Sequence, residues 1–476
     1  MKKTRIKGHK MAILESHGAD EVVTGSCHLL KLENGVTILV DCGMYQGKEE
    51  HRNYEPFGFD PKKVDVLLVT HAHLDHVGRI PKLVKEGFRG PIYATEATFD
   101  LANIVLLDSA KLMEEEYHTL YRKALRRGEE KKVRQPLYTV EDVQNVWLRP
   151  TVYAQYGKWM RIAKGVRVRY RNAGHILGSA FIEIEYTEGE GKKRIVFSGD
   201  LGNKIEVVMP VTERAKTADT LVIESTYGDR DHRPLKKSIE EFKKVVTETL
   251  LNRGNVIIPS FAIERTQDLL CVLKQMHKDK ELPYCKVFLD TPMGIRATNV
   301  FNKYADQLSP RCQKFYKEDG EVFQFPRLIF TPEVEDSKRI NDVARGAIII
   351  AGSGMCTGGR ILHHFKHQIW NKRNAVIFVG YQAEGTIGRE IVEGAKWIKI
   401  YHEEIRVRAS IHTINGFSAH ADQDELIDWM KAFKRLGDVY LVHGELDKQL
   451  VLQKVAKKKL GKEAIIVEEG KDYPLR

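Results

Sequence analysis

The stretch Thr70-His71-Ala72-His73-Leu74-Asp75-His76 constrains this chain more than any other. The apolar run Val64-Asp65-Val66-Leu67-Leu68-Val69 leads into it and reads as a buried strand. Four potential metal ligands, His71, His73, Asp75 and His76, thus crowd into six residues beyond one strand end. In an extended segment side chains two apart point the same way, so His71 and His73 can face one ion. Asp75 and His76 fall where the chain turns towards a helix marked by Ile80, Leu83 and Val84, and they face a second direction and so a second ion. Imidazole and carboxylate suit zinc, manganese or iron, whereas magnesium prefers mostly oxygen.

Further ligand types recur at strand ends. Glu33-Asn34-Gly35 is a hairpin turn signal between His28-Leu29-Leu30 and Val36-Thr37-Ile38-Leu39-Val40, and the second strand ends in Asp41, which can orient a histidine ligand without touching the ion. Val166–Tyr170 alternates as a strand and leads to Ala173-Gly174-His175-Ile176-Leu177-Gly178, a Gly-bounded turn. Arg194–Phe197 leads to Asp200, Leu221–Ile223 to Glu224, and Asp438–Val442 to His443.

Between these pieces the periodicity changes. Ile239, Phe242, Val246 and Leu250 recur at helical spacing, and strands at 255–258, 286–289, 347–351 and 375–379 alternate with helices, which implies a parallel, doubly wound sheet. Two of these strands open into Gly-rich loops, Gly352–Gly359 and Gly380–Thr386. Ligands of open α/β sheets sit beyond such ends, and exposed amides there can hold phosphate. Neither loop matches the P-loop or dinucleotide fingerprint. After about residue 400 the strand-end pattern returns. We therefore expect one domain from 1–212 and 397–476, interrupted by an inserted domain at 213–396. A chain of 476 residues exceeds what one hydrophobic core usually serves.

The formal net charge of +11 favours a polyanionic partner. Residues 111–134 carry eight Lys or Arg and five Glu, a mixture that reads as a solvated helical face rather than a nucleic-acid patch. The six cysteines show no zinc-knuckle or redox spacing and read as buried apolar residues in a reducing compartment. Met1 to Lys10 is basic but lacks the apolar segment of a secretory signal, and no run approaches the roughly 18 apolar residues of a membrane span. A cytoplasmic protein without a membrane partner is expected.

The inner shell is read as His71, His73 and His175 on one divalent ion and Asp75, His76 and His443 on another, with Asp200 bridging. Two such ions lower the pKa of bound water to give a hydroxide nucleophile and stabilise charge on an attacked phosphate, so a hydrolase is expected. Asp75 belongs to the catalytic set with His420, the candidate general acid, and Glu224, the carboxylate that would hold the His420 tautomer.

Together these residues resemble the β-CASP branch of the metallo-β-lactamase superfamily, in particular the archaeal and other prokaryotic homologues of the nuclease subunit of the cleavage and polyadenylation specificity factor. The resemblance covers essentially the whole chain. Its first four motifs match Asp41, the His71–His76 block, His175 and Asp200, and its three further motifs match Glu224, His420 and His443. It implies a metallo-β-lactamase αββα sandwich with an inserted β-CASP doubly wound α/β domain, two zinc ions, RNA entering the cleft between the domains, and a homodimer in RNA processing. It also implies that Pro259–Ala262, with Ser260, lies near the substrate, that Arg265 is a phosphate ligand, and that Ser353, Gly354 and Met355 line the same cleft. Many relatives have glycine where this chain has Glu264. The stretch Gly416-Phe417-Ser418-Ala419-His420 is more similar to the cleavage-factor branch than to the ribonuclease J branch. An endoribonuclease acting on single-stranded RNA is therefore expected. A 5′-to-3′ exoribonuclease, a DNA nuclease and a non-catalytic RNA-binding scaffold are the alternatives.

Overall fold

A computed structural model describes residues 11–204 and 207–475; the basic start at 1–10 lies outside them. The chain divides into two compact units, the first made of 1–204, 211–231 and 420–476, the second of 205–210 and 232–419.

The first unit is built on two seven-stranded sheets. In one, Tyr473–Pro474, Ile13–Ser16, His28–Lys31 and Thr37–Val40 run antiparallel as neighbours, and Val66–Leu68, Ile92–Ala94 and Thr151–Tyr153 continue it in parallel. The expected hairpin forms, with His28 opposite Val40 and Gly35 at φ 84°. In the other sheet, Gly191–Phe197, Thr217–Glu224 and Arg435–Val442 are mutually parallel neighbours, while Trp159–Ala163, Val166–Asn172 and Ala180–Glu188 form an antiparallel meander beside them. Strand alternation explains the layering, because successive side chains go to opposite faces. Leu30, Ile38, Val40, Val66 and Leu68 of the first sheet meet Val168, Tyr170, Ile182, Ile184, Phe197 and Val222 of the second in one buried cluster. The opposite face of the second sheet, with Phe181, Val196, Leu221, Ile223 and Leu441, is covered by Leu426, Ile427, Trp429 and Met430 of the helix Gln423–Lys431 and by Leu452 and Ala456 of the helix Leu446–Leu460. The expected sandwich is thus present.

The second unit carries the expected parallel sheet, in the order Leu328–Phe330, Lys286–Asp290, Ala347–Ala351, Val256–Pro259, Ala375–Phe378, Ser410–Thr413. Its central strands read as continuous apolar runs because both faces are buried.

The unit boundaries differ from the sequence division at 212/213 and 396/397. Residues 217–224 stay with the first unit because their strand lies between Gly191–Phe197 and Arg435–Val442. Residues 397–419 stay with the second because Ser410–Thr413 pairs with Ala375–Phe378. Sequence periodicity identifies a strand, not the sheet that accepts it. The segment leading into the basic stretch forms one long helix, Glu96–Leu125. All six cysteines are buried and unbridged, and tertiary packing brings the Sγ atoms of Cys271 and Cys312 to 3.6 Å. Among the described residues no helix is long and apolar enough to cross a membrane.

Candidate metal centre

Parallel pairing decides where the polar strand ends meet. Val40 lies opposite Leu68, so Asp41 reaches the segment that opens the histidine block. In the second sheet Phe197 lies opposite Val222 and Glu224 opposite Val442, so the chain beyond each strand brings Asp200, Glu224 and His443 to one edge. Asn172 pairs with Ala180, which puts the His175 turn at that edge as well. The Ala180 amide donates to the Thr70 carbonyl at 2.9 Å and joins the two sheets there. Two loops approach so closely that only glycine fits. A Cβ on Gly43 would lie 1.5 Å from the Asp75 carbonyl oxygen, and one on Gly202 would lie 1.9 Å from that of Gly174.

The side chains form three adjoining groups, each with its ligand atoms within 4.8 Å of one another: His71, His73, His175 and Asp200; Asp75, His76 and His443; and Asp200, Glu224 and His420. Asp200 is common to two of them, and its two oxygens face different ways. Oδ2 lies 3.4 Å from His71 Nε2 and 3.5 Å from His175 Nε2. Oδ1 lies 3.3 Å from His76 Nε2 and 3.5 Å from His443 Nε2. His73 turns Nδ1 inward, 3.2 Å from His71 Nε2 and 3.1 Å from His175 Nε2. Asp75 Oδ2 stands 4.0 Å from His443 Nε2. His73, Asp75 and His420 are half-buried and the other members are buried, so the cluster opens on the side of these three.

Two features show that this donor set fits divalent cations. His76 Nε2 and Asp200 Oδ1 face each other at 3.3 Å and are buried, yet neither makes a well-formed hydrogen bond to the other or to any other described residue, a cost that a coordinated cation removes. Four of the five histidines are also held in their ligating form; His76 is the exception, because its burial is outweighed by Asp200 and Asp41, which hold its imidazole well above the ordinary value. Burial pushes His71 and His175 well below the ordinary imidazole value and brings His73 and His443 down to about 3, so these four present neutral nitrogen lone pairs. Asp200 is opposed by burial, but the facing histidines, His443 first, hold its carboxyl well below the usual range. The mixed nitrogen and carboxylate set matches zinc better than magnesium.

The outward ring nitrogens are held by hydrogen bonds, which fixes ring orientation. Asp41 Oδ2 faces His76 Nδ1 at 2.8 Å and also accepts from the Thr70 hydroxyl at 2.7 Å, while Oδ1 accepts from the Thr70 amide at 2.7 Å. Ser26 Oγ lies 3.0 Å from His443 Nδ1, and Thr70 Oγ1 lies 3.0 Å from His71 Nδ1. The sequence reading missed both Ser26 and Thr70. Thr70 directly precedes His71 and could have been noticed, but Ser26 is 417 positions from its partner and carries no local signal.

Glu224 is fully buried and divides its carboxylate. Oε1 accepts from the Leu201 amide at 2.6 Å, steadying the Asp200 loop, and Oε2 faces His420 Nδ1 at 3.1 Å. Burial disfavours charge on His420, but the carboxylates of Glu224, Asp200 and Asp75 more than offset it and raise the imidazole to about 9. Glu224 thus commits Nδ1 and favours the protonated ring.

The remaining sequence candidates lie in the second unit, at the carboxyl ends of its parallel strands. Ser260 is buried, its hydroxyl bonded to the Phe261 carbonyl at 3.2 Å. Ser353 Oγ donates to the Gly358 carbonyl and accepts from the Thr357 amide. The Gly354 carbonyl accepts from Gln382 Nε2 at 2.8 Å. Arg265 is buried, its guanidinium 3.3 Å from Asp268 Oδ2 and 5.9 Å from the centre of the Phe417 ring.

Residues 20–154 match the model of the metallo-β-lactamase superfamily, 266–391 that of the Beta-Casp domain, and 404–467 that of the Zn-dependent metallo-hydrolase RNA specificity domain. Among curated proteins, Ribonuclease TTHA0252 of Thermus thermophilus is 43% identical over 96% of this chain and 99% of its own length. Transcription termination factor FttA of Methanococcus maripaludis is 33% identical over 90% of this chain and 66% of its own length. FttA of Pyrococcus abyssi is 34% identical over 84% of this chain and 60% of its own. The chain thus spans nearly the whole of the first relative but only about two thirds of the FttA proteins.

Proposed function

We propose, from the premise that this chain belongs to the β-CASP branch of the metallo-β-lactamase superfamily, that it is a di-metal endoribonuclease hydrolysing phosphodiester bonds within single-stranded RNA. The observation that carries this reading is the two-sided environment of Asp200, one oxygen towards His71 and His175 and the other towards His76 and His443. His71, His73 and His175 would hold one cation, and Asp75, His76 and His443 the other, with Asp200 shared and zinc the best match. When bound, the pair supplies Lewis acidity that activates water and offsets charge on the attacked phosphate.

The chain's own residues supply the rest. Asp75, on the open side, orients the attacking water by accepting its hydrogen bond. Glu224 holds His420 through Nδ1, which leaves Nε2 to deliver a proton to the leaving oxygen. Asp41 keeps the His76 ring in register. In the second unit, Ser260, Ser353, the Gly354 backbone and Arg265 bind phosphates of the RNA. RNA as the substrate class is supported by the name of the Thermus relative and by the domain matched at 404–467. We extend the proposal to a cytoplasmic homodimer that works in RNA processing.

The test is to incubate a circular, unstructured RNA with protein whose metal content has been measured by elemental analysis. Linearisation is expected. An intact circle beside a linear RNA degraded only from its 5′ end would replace this reading with an exonuclease, and cleavage confined to DNA would replace the substrate. His420→Ala is expected to keep both metals while cleavage falls by about 10²- to 10⁴-fold. Unchanged turnover would remove its acid role.

A further inference from the structure

The helix Glu96–Leu125 has no buried residue after Ala110. Its last 15 residues therefore extend about 22 Å with no core to cover. The segment 122–134 that ends this arm holds seven Lys or Arg against two Glu, close to half of the net positive charge of the chain in 13 residues. A helical face kept only for solubility interleaves its signs in i,i+4 pairs. Here, among the described residues, just one of the seven cations makes an ion pair, Lys132 with Glu129. Three of the five acidic residues of 111–134, Glu114, Glu115 and Glu116, are set apart on earlier turns, where Glu114 accepts from the Val140 amide.

Beside this tip the helix, the short 3-10 helix Gly47–Tyr54 and the segment 129–136 enclose a groove of about 650 Å³. Tyr54 and Tyr117 line it. Tyr54 is 39% exposed, and the Arg134 guanidinium lies 4.4 Å from its ring centre. The Tyr117 and Tyr121 rings are 5.7 Å apart. Glu50 and Glu116 also face the groove, so carboxylates that accept from exocyclic amines stand beside rings on which bases can stack. Arg122, Arg126 and Lys131 are exposed in the same segment. Cations along the tip with aromatic and acceptor groups in the groove are the combination that holds an unpaired strand, because a duplex hides its base faces.

We propose that the tip of this arm and its groove form a second RNA-binding site, which grips single-stranded RNA several nucleotides away from the bond being cut. The identity of the ligand rests on the ribonuclease reading, but binding here requires no cleavage, so the two can fail separately. The experiment uses full-length, metal-loaded His420→Ala protein and measures, before any cleavage is detectable, fluorescence anisotropy of labelled unstructured 40-nucleotide and 8-nucleotide RNAs between 50 and 200 mM KCl. The triple variant Lys123→Glu, Arg127→Glu, Lys131→Glu is expected to bind the longer RNA at least about tenfold more weakly. It should also lower the slope of log affinity against log salt by about 2, at roughly 0.7 for each phosphate that is no longer neutralised. The affinity ratio of long to short RNA should collapse. Tyr54→Ala with Tyr117→Ala should weaken the long RNA several-fold and leave the salt slope in place. Lys244→Glu, Lys317→Glu, Lys338→Glu changes the net charge equally from exposed positions in the other unit and should leave the ratio intact. Equal losses in the two charge triples, or unaltered binding of the 40-mer by the arm triple, would overturn the proposal. So would loss of poly-glutamate binding with RNA binding retained, which would assign the arm to an acidic protein.

Discussion

Glu264 occupies a backbone conformation that favours glycine, at φ 67° and ψ −61°, with the Arg265 amide bonded back to the Ile263 carbonyl at 2.9 Å in a tight three-residue turn. This γ-turn conformation is strained for a residue with a Cβ, at a cost of about 1–3 kcal/mol. Its side chain adds a second cost. It is buried, its Oε2 has no hydrogen-bond partner among the described residues, and burial together with the nearby Asp268 pushes its carboxyl well above the ordinary value. This gives the departure from glycine at this position a physical meaning as a local instability. The folded state holds the Glu264 proton more tightly than the unfolded state. The native state is therefore favoured fully below about pH 4.5 and loses that advantage as pH rises towards the elevated folded value, by up to about 1.4 kcal/mol per pH unit. Glu264→Gln removes the titration, so its thermal stability relative to the parent should improve from pH 5 to pH 8. A difference in melting temperature that stays flat or declines over that range would show that the carboxyl is not held protonated.

At the scale of elements, the site depends on loops held by the ends of their neighbours. The helix Glu96–Leu125 begins at Thr95, whose hydroxyl oxygen accepts from the Thr98 amide at 3.2 Å and donates to the Gly178 carbonyl at 2.8 Å; the Thr98 hydroxyl reaches the same carbonyl at 2.9 Å. One cap thus serves both the helix and the turn that carries His175. Thr95→Ala should cost about 1 kcal/mol in urea denaturation, and Thr95→Ser should recover most of it. If serine were as damaging as alanine, the lost methyl packing rather than the hydroxyl would be responsible. The same scale explains the unit boundaries. Thr217–Glu224 carries one apolar run, Leu221–Ile223, and Ser410–Thr413 a single apolar residue, Ile411, and only their hydrogen-bonded neighbours assign the first to the sandwich and the second to the parallel sheet.

At the scale of the whole molecule, the seven candidate ligands all belong to the first compact unit, while the second has its own buried cluster around Ile257, Ile349, Phe365 and Phe378. Removing metal should therefore act unevenly. A ligand present at a thousand times its dissociation constant stabilises the unit that binds it by about 4 kcal/mol. Chelation is expected to accelerate amide hydrogen exchange in Gly191–Phe197 and Arg435–Val442 and to leave Ala347–Ala351 close to its metal-loaded rate. Uniform acceleration would mean that the two units unfold as one. The sequence by itself determined the fold class, because alternation and parallel-strand apolar runs are local patterns, and it marked Asp41, His71, His73, Asp75, His76, His175, Asp200, Glu224, His420 and His443 as polar residues close to strand or segment ends. Tertiary structure alone decided which of them meet. It aimed the two oxygens of Asp200 at different histidine pairs and brought Ser26 to His443. Periodicity is written within a few residues, whereas contact across hundreds of positions depends on sheet order and register, which no local pattern encodes.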